Sequence, residues 1–283
     1  MPFIATVNNH TLHYTDIKAS PGHANSCAPV ILMIHGLGST QNCFIPLLPW
    51  LAAFRCILFD LYGSGRSGFD LEPQPEPSVA CLSADAFDLL DKLGVQQQAI
   101  LVAHSMGGII ASHMASTSPT RILAVVSFVI LFSPPSATTP AVETYIVTCM
   151  RQLGDDGLED LANRLPTTST GGHSNNVQKA FIRELLLAQR KEAYIYYCNL
   201  IQGASAPDYE SLAQPFLMIV GESDNPRTLA GCKSVFERIR SVVKDMAILQ
   251  NVGHWPTIEA SDQVGELIRD FCTQRLPPVD NRD

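Results

Sequence analysis

Apolar residues fall along this chain in two kinds of pattern, and the order in which they alternate predicts the architecture. Short runs without polar alternation occur at residues 30–34, 56–60, 100–102, 122–132, 215–220 and 246–249, as strands buried on both faces require. Between them lie helical periods at residues 43–53 (interrupted by Pro46 and Pro49), 78–93, 108–118, 228–239 and 259–275. Strands alternating with helices imply parallel strands joined by right-handed crossovers, hence a sheet covered on both sides. At the start, residues 3–7 and 11–15 alternate around Asn8-Asn9-His10, which predicts a β-hairpin. In the helix over 78–93, Leu82, Phe87, Leu89, Leu90 and Leu93 face inward, while Asp85, Asp88, Asp91 and Lys92 face water.

The alternation stops near residue 137. Helical periods then follow in series at 142–153, 157–164, 176–189 and 191–201, with no strand before the run at 215. Helices inserted between two sheet strands form a cap over the strand ends, with Gly171-Gly172 and Gly203 as candidate hinges. The expected organisation is a core over 1–135 and 212–276, a helical cap over 136–211 and a flexible tail over 277–283.

Composition narrows the function classes. Hydrophobic residues make up 46% of the 283 and charged residues 16%, which suits a doubly covered sheet with an apolar pocket. A formal charge of -8 with no basic run excludes nucleic acid and anionic membrane as expected partners. No apolar stretch has the length of a membrane span. Residues 1–6 lack a charged segment leading into a long apolar core, and the eight cysteines stand singly without a C-x-x-C pair. A cytoplasmic protein with reduced thiols is therefore expected. His and Cys never occur at paired ligand spacing, so no metal and no cofactor are expected. The expected partner is a small-molecule substrate, and nothing in the sequence fixes the oligomeric state.

Two motifs invite chemistry. Gly63-Ser64-Gly65-Arg66-Ser67-Gly68 spells G-x-G-x-x-G, but a dinucleotide site needs a helix opening at the glycines. Pro73, Pro75 and Pro77 forbid that helix, so the glycines are expected to turn the chain after a strand. The second motif is Ala99-Ile100-Leu101-Val102-Ala103-His104-Ser105-Met106-Gly107-Gly108, a strand, a sharp turn and a helix with serine at the apex. The residues two before and two after that serine, Ala103 and Gly107, are small, as a nearly touching strand and helix demand. A serine hydroxyl is a poor nucleophile near neutral pH and needs an adjacent base, which in turn needs a carboxylate. Among the histidines, His10, His13 and His23 precede the sheet and are expected to be exposed. His113 follows the serine on its helix, His173 sits in a Gly-Gly loop, and His104 adjoins the serine on the wrong side of the turn. His254 remains as the base.

His35-Gly36 after a strand, D-x-x-G-x-G-x-S at Asp60 to Ser67, the Ser105 turn, G-x-x-D at Gly221 to Asp224 and G-H-W at Gly253 to Trp255 together resemble the α/β-hydrolase superfamily. The resemblance runs from about residue 30 to 275 and leaves the cap unmatched; its nearest forms are capped esterases and the 3-oxoadipate enol-lactonase type. It implies an α/β-hydrolase fold and the chain order nucleophile, acid, base, met by Ser105, Asp224 and His254. Asp208 and Glu222 are the competing acids. It also implies an oxyanion hole from the backbone N–H groups of Leu37 and Met106. His35, Phe44, His104, Tyr194, Tyr197 and Trp255 are the candidate pocket residues, with His35 supporting its loop and the tyrosines also able to serve as cap core. The implied activity is cofactor-independent hydrolysis of an ester or lactone of a small, largely apolar substrate through an acyl-enzyme. Carbon-carbon bond hydrolysis, a lyase step with the same triad, or a ligand receptor on the same scaffold are the alternatives.

Overall fold

The structure is a computed structural model and describes residues 2–21, 28–70, 72–128, 157–224 and 229–276. Among the described residues eight strands form one sheet: β1 (Phe3–Ala5), β2 (Thr11–Ile17), β3 (Val30–Ile34), β4 (Arg55–Phe59), β5 (Ala99–His104), β6 (Ile122–Phe128), β7 (Phe216–Gly221) and β8 (Lys244–Leu249). Their order is β1-β2-β4-β3-β5-β6-β7-β8. β1 and β2 form the expected hairpin, with Phe3 opposite His13 and Asn9 at φ 61° in the turn. β2 runs antiparallel to β4, and every pairing from β4 through β8 is parallel. The mostly parallel, doubly covered sheet expected from the sequence is therefore present. Every residue of β5, β6 and β7 is buried, which is why those segments read as unbroken apolar runs.

The parallel register sets the site's position. Ile34 lies beside Ala103 and Ala103 beside Ser127, so β3, β5 and β6 end at one edge of the sheet. Gly221 at the end of β7 pairs with Leu249 at the end of β8. The loops leaving these strands emerge together, at the carboxyl edge where open α/β sheets place their chemistry.

The helices differ from expectation in instructive places. Residues 41–51 form a 3-10 helix, Gln41–Leu51, begun by the Thr40 side chain accepting from the Asn42 N–H. Pro46 and Pro49 lie inside it; a proline has no N–H to donate, so a regular α-helix would lose two bonds there. Helix α1 (Val79–Lys92) buries Leu82, Leu89 and Leu90 as expected. Asp85, expected outside, is buried instead, because the His10 imidazole and the Asn8 amide reach its two oxygens at 2.6 and 2.8 Å. His10 and His13 are likewise buried rather than exposed; His23 lies outside the described residues.

Helix α2 (Met106–Thr117) follows β5 directly. After β6 come α3 (Glu159–Thr168), α4 (Asn176–Leu187) and α5 (Lys191–Gly203), while residues 129–156, with the helix expected over 142–153 and Ser133-Pro134-Pro135, lie outside the described residues. α4 starts on a capping box, Asn175 and Gln178 each accepting from the other's backbone N–H. The inserted helices are tied to the sheet's loops: the Tyr197 hydroxyl donates to the Tyr62 carbonyl at 2.6 Å and the Gln189 amide to the Ser39 carbonyl at 2.8 Å. Helix α6 (Leu229–Arg238) separates β7 from β8. The helix expected over 259–275 is α8 (Ser261–Gln274), and a short α7 (Pro256–Glu259) precedes it, separated at Ala260 (φ −139°, ψ 44°). The tail expected over 277–283 lies outside the described residues. Among the described residues no helix is long and apolar enough to cross a membrane.

Candidate active site

β5 delivers Ser105 to the rim of the sheet. Its backbone sits at φ 54°, ψ −117°, a conformation that costs a non-glycine residue of order 1–3 kcal/mol and persists only where packing imposes it. The Ser105 N–H donates to the Phe128 carbonyl at 2.9 Å, and α2 begins at the next residue. The turn is this sharp because α2 lies directly against the end of β3: a Cβ on Gly107 would collide with the Ile34 carbonyl oxygen and stand 2.7 Å from that of His35. Gly107→Ala is therefore expected to destabilise the fold by about 1–3 kcal/mol and to lower the thermal midpoint, because two backbone elements, not a flexible side chain, must move apart.

The loops after β7 and β8 bring the other two residues. Asp224 follows Gly221, whose carbonyl accepts from the Asp224 N–H at 3.2 Å, and its side chain is fully buried. His254 Nδ1 lies 3.1 and 3.0 Å from the two Asp224 oxygens, and its Nε2 lies 3.2 Å from Ser105 Oγ. A carboxylate only accepts, so the proton sits on Nδ1 and Nε2 accepts from the serine hydroxyl. The competing acids, Asp208 and Glu222, are both exposed. His113 faces a cavity of about 570 Å³ that Ile109, Asn199 and Asp208 also line and that contains none of Ser105, Asp224 and His254. His173 is exposed.

A Cβ on Gly36 would stand 2.9 Å from Ser105 Cβ, so the loop after β3 passes beside the serine and carries Leu37 with it. Among the described residues, neither the Leu37 nor the Met106 N–H donates to another protein group. The Met106 N–H also opens α2, where the helix dipole favours negative charge.

The other sequence candidates are buried, and several spend their polar atoms on the protein itself. His35 Nε2 accepts from the Leu61 N–H at 3.0 Å while its Nδ1 donates to the Gly36 carbonyl, so it shapes the loop. Burial holds its pKa below the ordinary histidine value. His104 Nε2 donates to the His254 carbonyl at 2.7 Å; burial first, then the neighbouring His254, pushes its pKa down to about 3, so it serves as a neutral donor. The Trp255 indole donates to Ser169 Oγ at 2.9 Å, and the Tyr197 hydroxyl is engaged at Tyr62. Phe44 and Tyr194 are packed in the core.

The glycine-rich segment after β4 is a turn built on a buried carboxylate. Asp60 accepts from the Gln41 N–H at 2.9 Å, the Arg66 N–H at 3.1 Å and His13 Nδ1 at 3.0 Å, with Gly63 and Gly65 at φ 78° and 51°. Two further arrangements leave no trace in the local pattern of residues. His10, Cys81 and Asp85 bring ligand-type atoms within 4.8 Å of one another, a grouping that the spacing of histidines and cysteines along the chain conceals. Glu259, seen only as the start of a helix, gathers the N–H groups flanking His254.

The model of the alpha/beta hydrolase family matches residues 31–267 of this chain. A pimeloyl-(acyl-carrier protein) methyl ester esterase of Xanthomonas campestris pv. campestris (strain B100) is 27% identical over 254 residues, which span 86% of this chain and 94% of that protein. Among solved structures, the enol-lactonase from Burkholderia xenovorans LB400 superposes with a TM-score of 0.78 at 24% identity, over 96% of this chain and 100% of that one. A thermophilic esterase from Thermogutta terrifontis gives a TM-score of 0.78 at 19% identity, over 95% and 96%. At these identities the two structures establish a shared fold.

Proposed function

The chain belongs to the alpha/beta hydrolase family, and from that premise we propose that it is a serine hydrolase cleaving an ester or lactone of a small, largely apolar substrate. The observation that carries this reading is the hydrogen-bonded series Asp224–His254–Ser105, with contacts of 3.0 and 3.2 Å, anchored on a serine at positive φ. Ser105 Oγ attacks the acyl carbon while His254 Nε2 takes its proton. Charge develops on the former carbonyl oxygen, and the Leu37 and Met106 N–H groups stabilise it there. The imidazolium, held by Asp224, then protonates the departing alkoxide and leaves an acyl-Ser105. A water enters, His254 removes its proton, the hydroxide attacks the acyl carbon, and the acid departs as Ser105 Oγ recovers the proton. With a lactone the leaving alkoxide stays attached to the acyl group, and the same steps open the ring.

Two features support the substrate class and setting. The relative from Xanthomonas campestris is named for a methyl ester, which puts esters of acyl chains first among the candidates. Cys43, Cys56, Cys81 and Cys272 are free thiols, as a cytoplasmic setting would have them. Residues 136–211, of which α3 to α5 are described, act in this reading as the cap that shapes the pocket.

The test is a panel of p-nitrophenyl esters of increasing acyl length, methyl esters and lactones, run beside labelling by a serine-directed fluorophosphonate and mapping of the labelled peptide. Turnover of at least one ester or lactone with the label on Ser105 is expected. No turnover across the panel together with no label on Ser105 would overturn the reading.

A further inference from the structure

We propose that Glu259 is the positioning residue for His254, fastening the histidine's loop to the turn between α3 and α4 of the inserted helices. The inference rests on the reading of His254 as the general base. One carboxylate takes four donors: the N–H groups of Gly253 (3.0 Å) and Trp255 (2.9 Å), on either side of His254, and the Gly171 N–H and Ser174 hydroxyl, both at 2.7 Å, from the insert. Charge-assisted bonds of this kind are about twice as strong as neutral ones.

His254 itself lies outside any helix or strand, so nothing regular holds its backbone. Its N–H donates to the Ser169 carbonyl at 2.7 Å and its carbonyl accepts from His104 Nε2 at 2.7 Å. With Glu259 holding the N–H groups before and after it, both peptide planes of His254 are fixed by side chains and by the insert. The break at Ala260 lets this happen: it ends α7 at Glu259 before α8 begins at Ser261.

The two backbones are in contact here. A Cβ on Gly171 would collide with the Asn251 carbonyl oxygen, and one on Gly253 with the Ser169 carbonyl oxygen. Gly171, expected as a hinge, is instead a glycine of close approach, whereas Gly172 and Gly203 face open space. Gln178, at the start of α4, adds bonds from its side-chain amide to the carbonyls of Ile258 and Glu259 at 2.9 and 3.1 Å. This end of the insert is part of the histidine's mount, and the aim of the imidazole depends on it.

The experiment compares the full chain with Glu259→Gln and Ser174→Ala, neither of which removes a group that touches the reacting atoms. Three quantities are read: the kcat and KM for a p-nitrophenyl ester, the low-field proton NMR signal of the His254 Nδ1–H, assigned by its loss in His254→Gln, and the thermal midpoint. Glu259→Gln is expected to lower kcat about 10- to 100-fold with little change in KM, since small misplacements of a catalytic group cost that much, and to shift or broaden the low-field signal. Ser174→Ala, which deletes one donor from the insert side, is expected to do the same to a smaller degree. A Glu259→Gln protein with the wild-type signal and wild-type kcat overturns the proposal. Should Glu259→Gln fail to fold, Ser174→Ala decides: a moved signal supports the proposal and an unmoved one overturns it. Failure of the hydrolase reading would show separately, as absent turnover in the wild-type chain, while the NMR signal still reports on the mount.

Discussion

Replacing Ser105 by alanine is expected to lower kcat by about 10⁵- to 10⁶-fold on any ester or lactone the wild-type protein turns over. The size of the effect follows from what the substitution removes and what it leaves. The hydroxyl lies 3.2 Å from His254 Nε2, and without it no acyl-enzyme forms. The backbone geometry survives, because φ 54° is imposed by β5, by the Phe128 carbonyl and by the approach of α2 to β3, none of which depends on Oγ. The variant should therefore keep its thermal midpoint and its far-ultraviolet circular dichroism, bind substrate, and lose fluorophosphonate labelling. A residual rate above the uncatalysed one is expected from the Leu37 and Met106 N–H groups alone. Undiminished labelling or turnover in the alanine variant would mean that another nucleophile carries the reaction.

That experiment bears on a residue the sequence made visible, and the reason it was visible is physical. A parallel strand covered on both faces must be apolar throughout, so β3, β5 and β7 stand out as unbroken runs, and a residue that must leave such a strand abruptly needs small neighbours. Ala103 and Gly107 are that requirement written into the chain. Asp224 is singled out by the resemblance to the α/β-hydrolase superfamily and His254 by elimination among the histidines, and both stand in loops after strands, β7 and β8.

What stayed hidden depends on contacts between distant positions. Asp85 sits on the polar side of a helical pattern and faces inward only because His10, 75 positions earlier, is there to bond it. Glu259 looks like an ordinary acidic residue at a helix start, and its role depends on Gly171 and Ser174, more than eighty positions away. Local pattern reports which face of an element is buried; it does not report which buried polar atoms find each other.

Asp224→Asn is expected to cost about 10⁴-fold in kcat while leaving the thermal midpoint unchanged or slightly higher. Asp224 is fully buried and accepts from His254 Nδ1 through both oxygens, so it fixes the proton on Nδ1 and stabilises the imidazolium as it forms. An asparagine presents an amide N–H₂ in the same space. The imidazole then accepts at Nδ1 and carries its proton on Nε2, facing Ser105 with a donor where the reaction needs an acceptor. Stability moves the other way, because an ionised carboxylate taken out of water is costly and the neutral amide is less so. Acylation measured by fluorophosphonate labelling should slow in parallel with kcat, since the base is needed before the first bond forms. A loss below tenfold would assign the acid elsewhere, with the exposed Glu222 on the same loop the next carboxylate to replace.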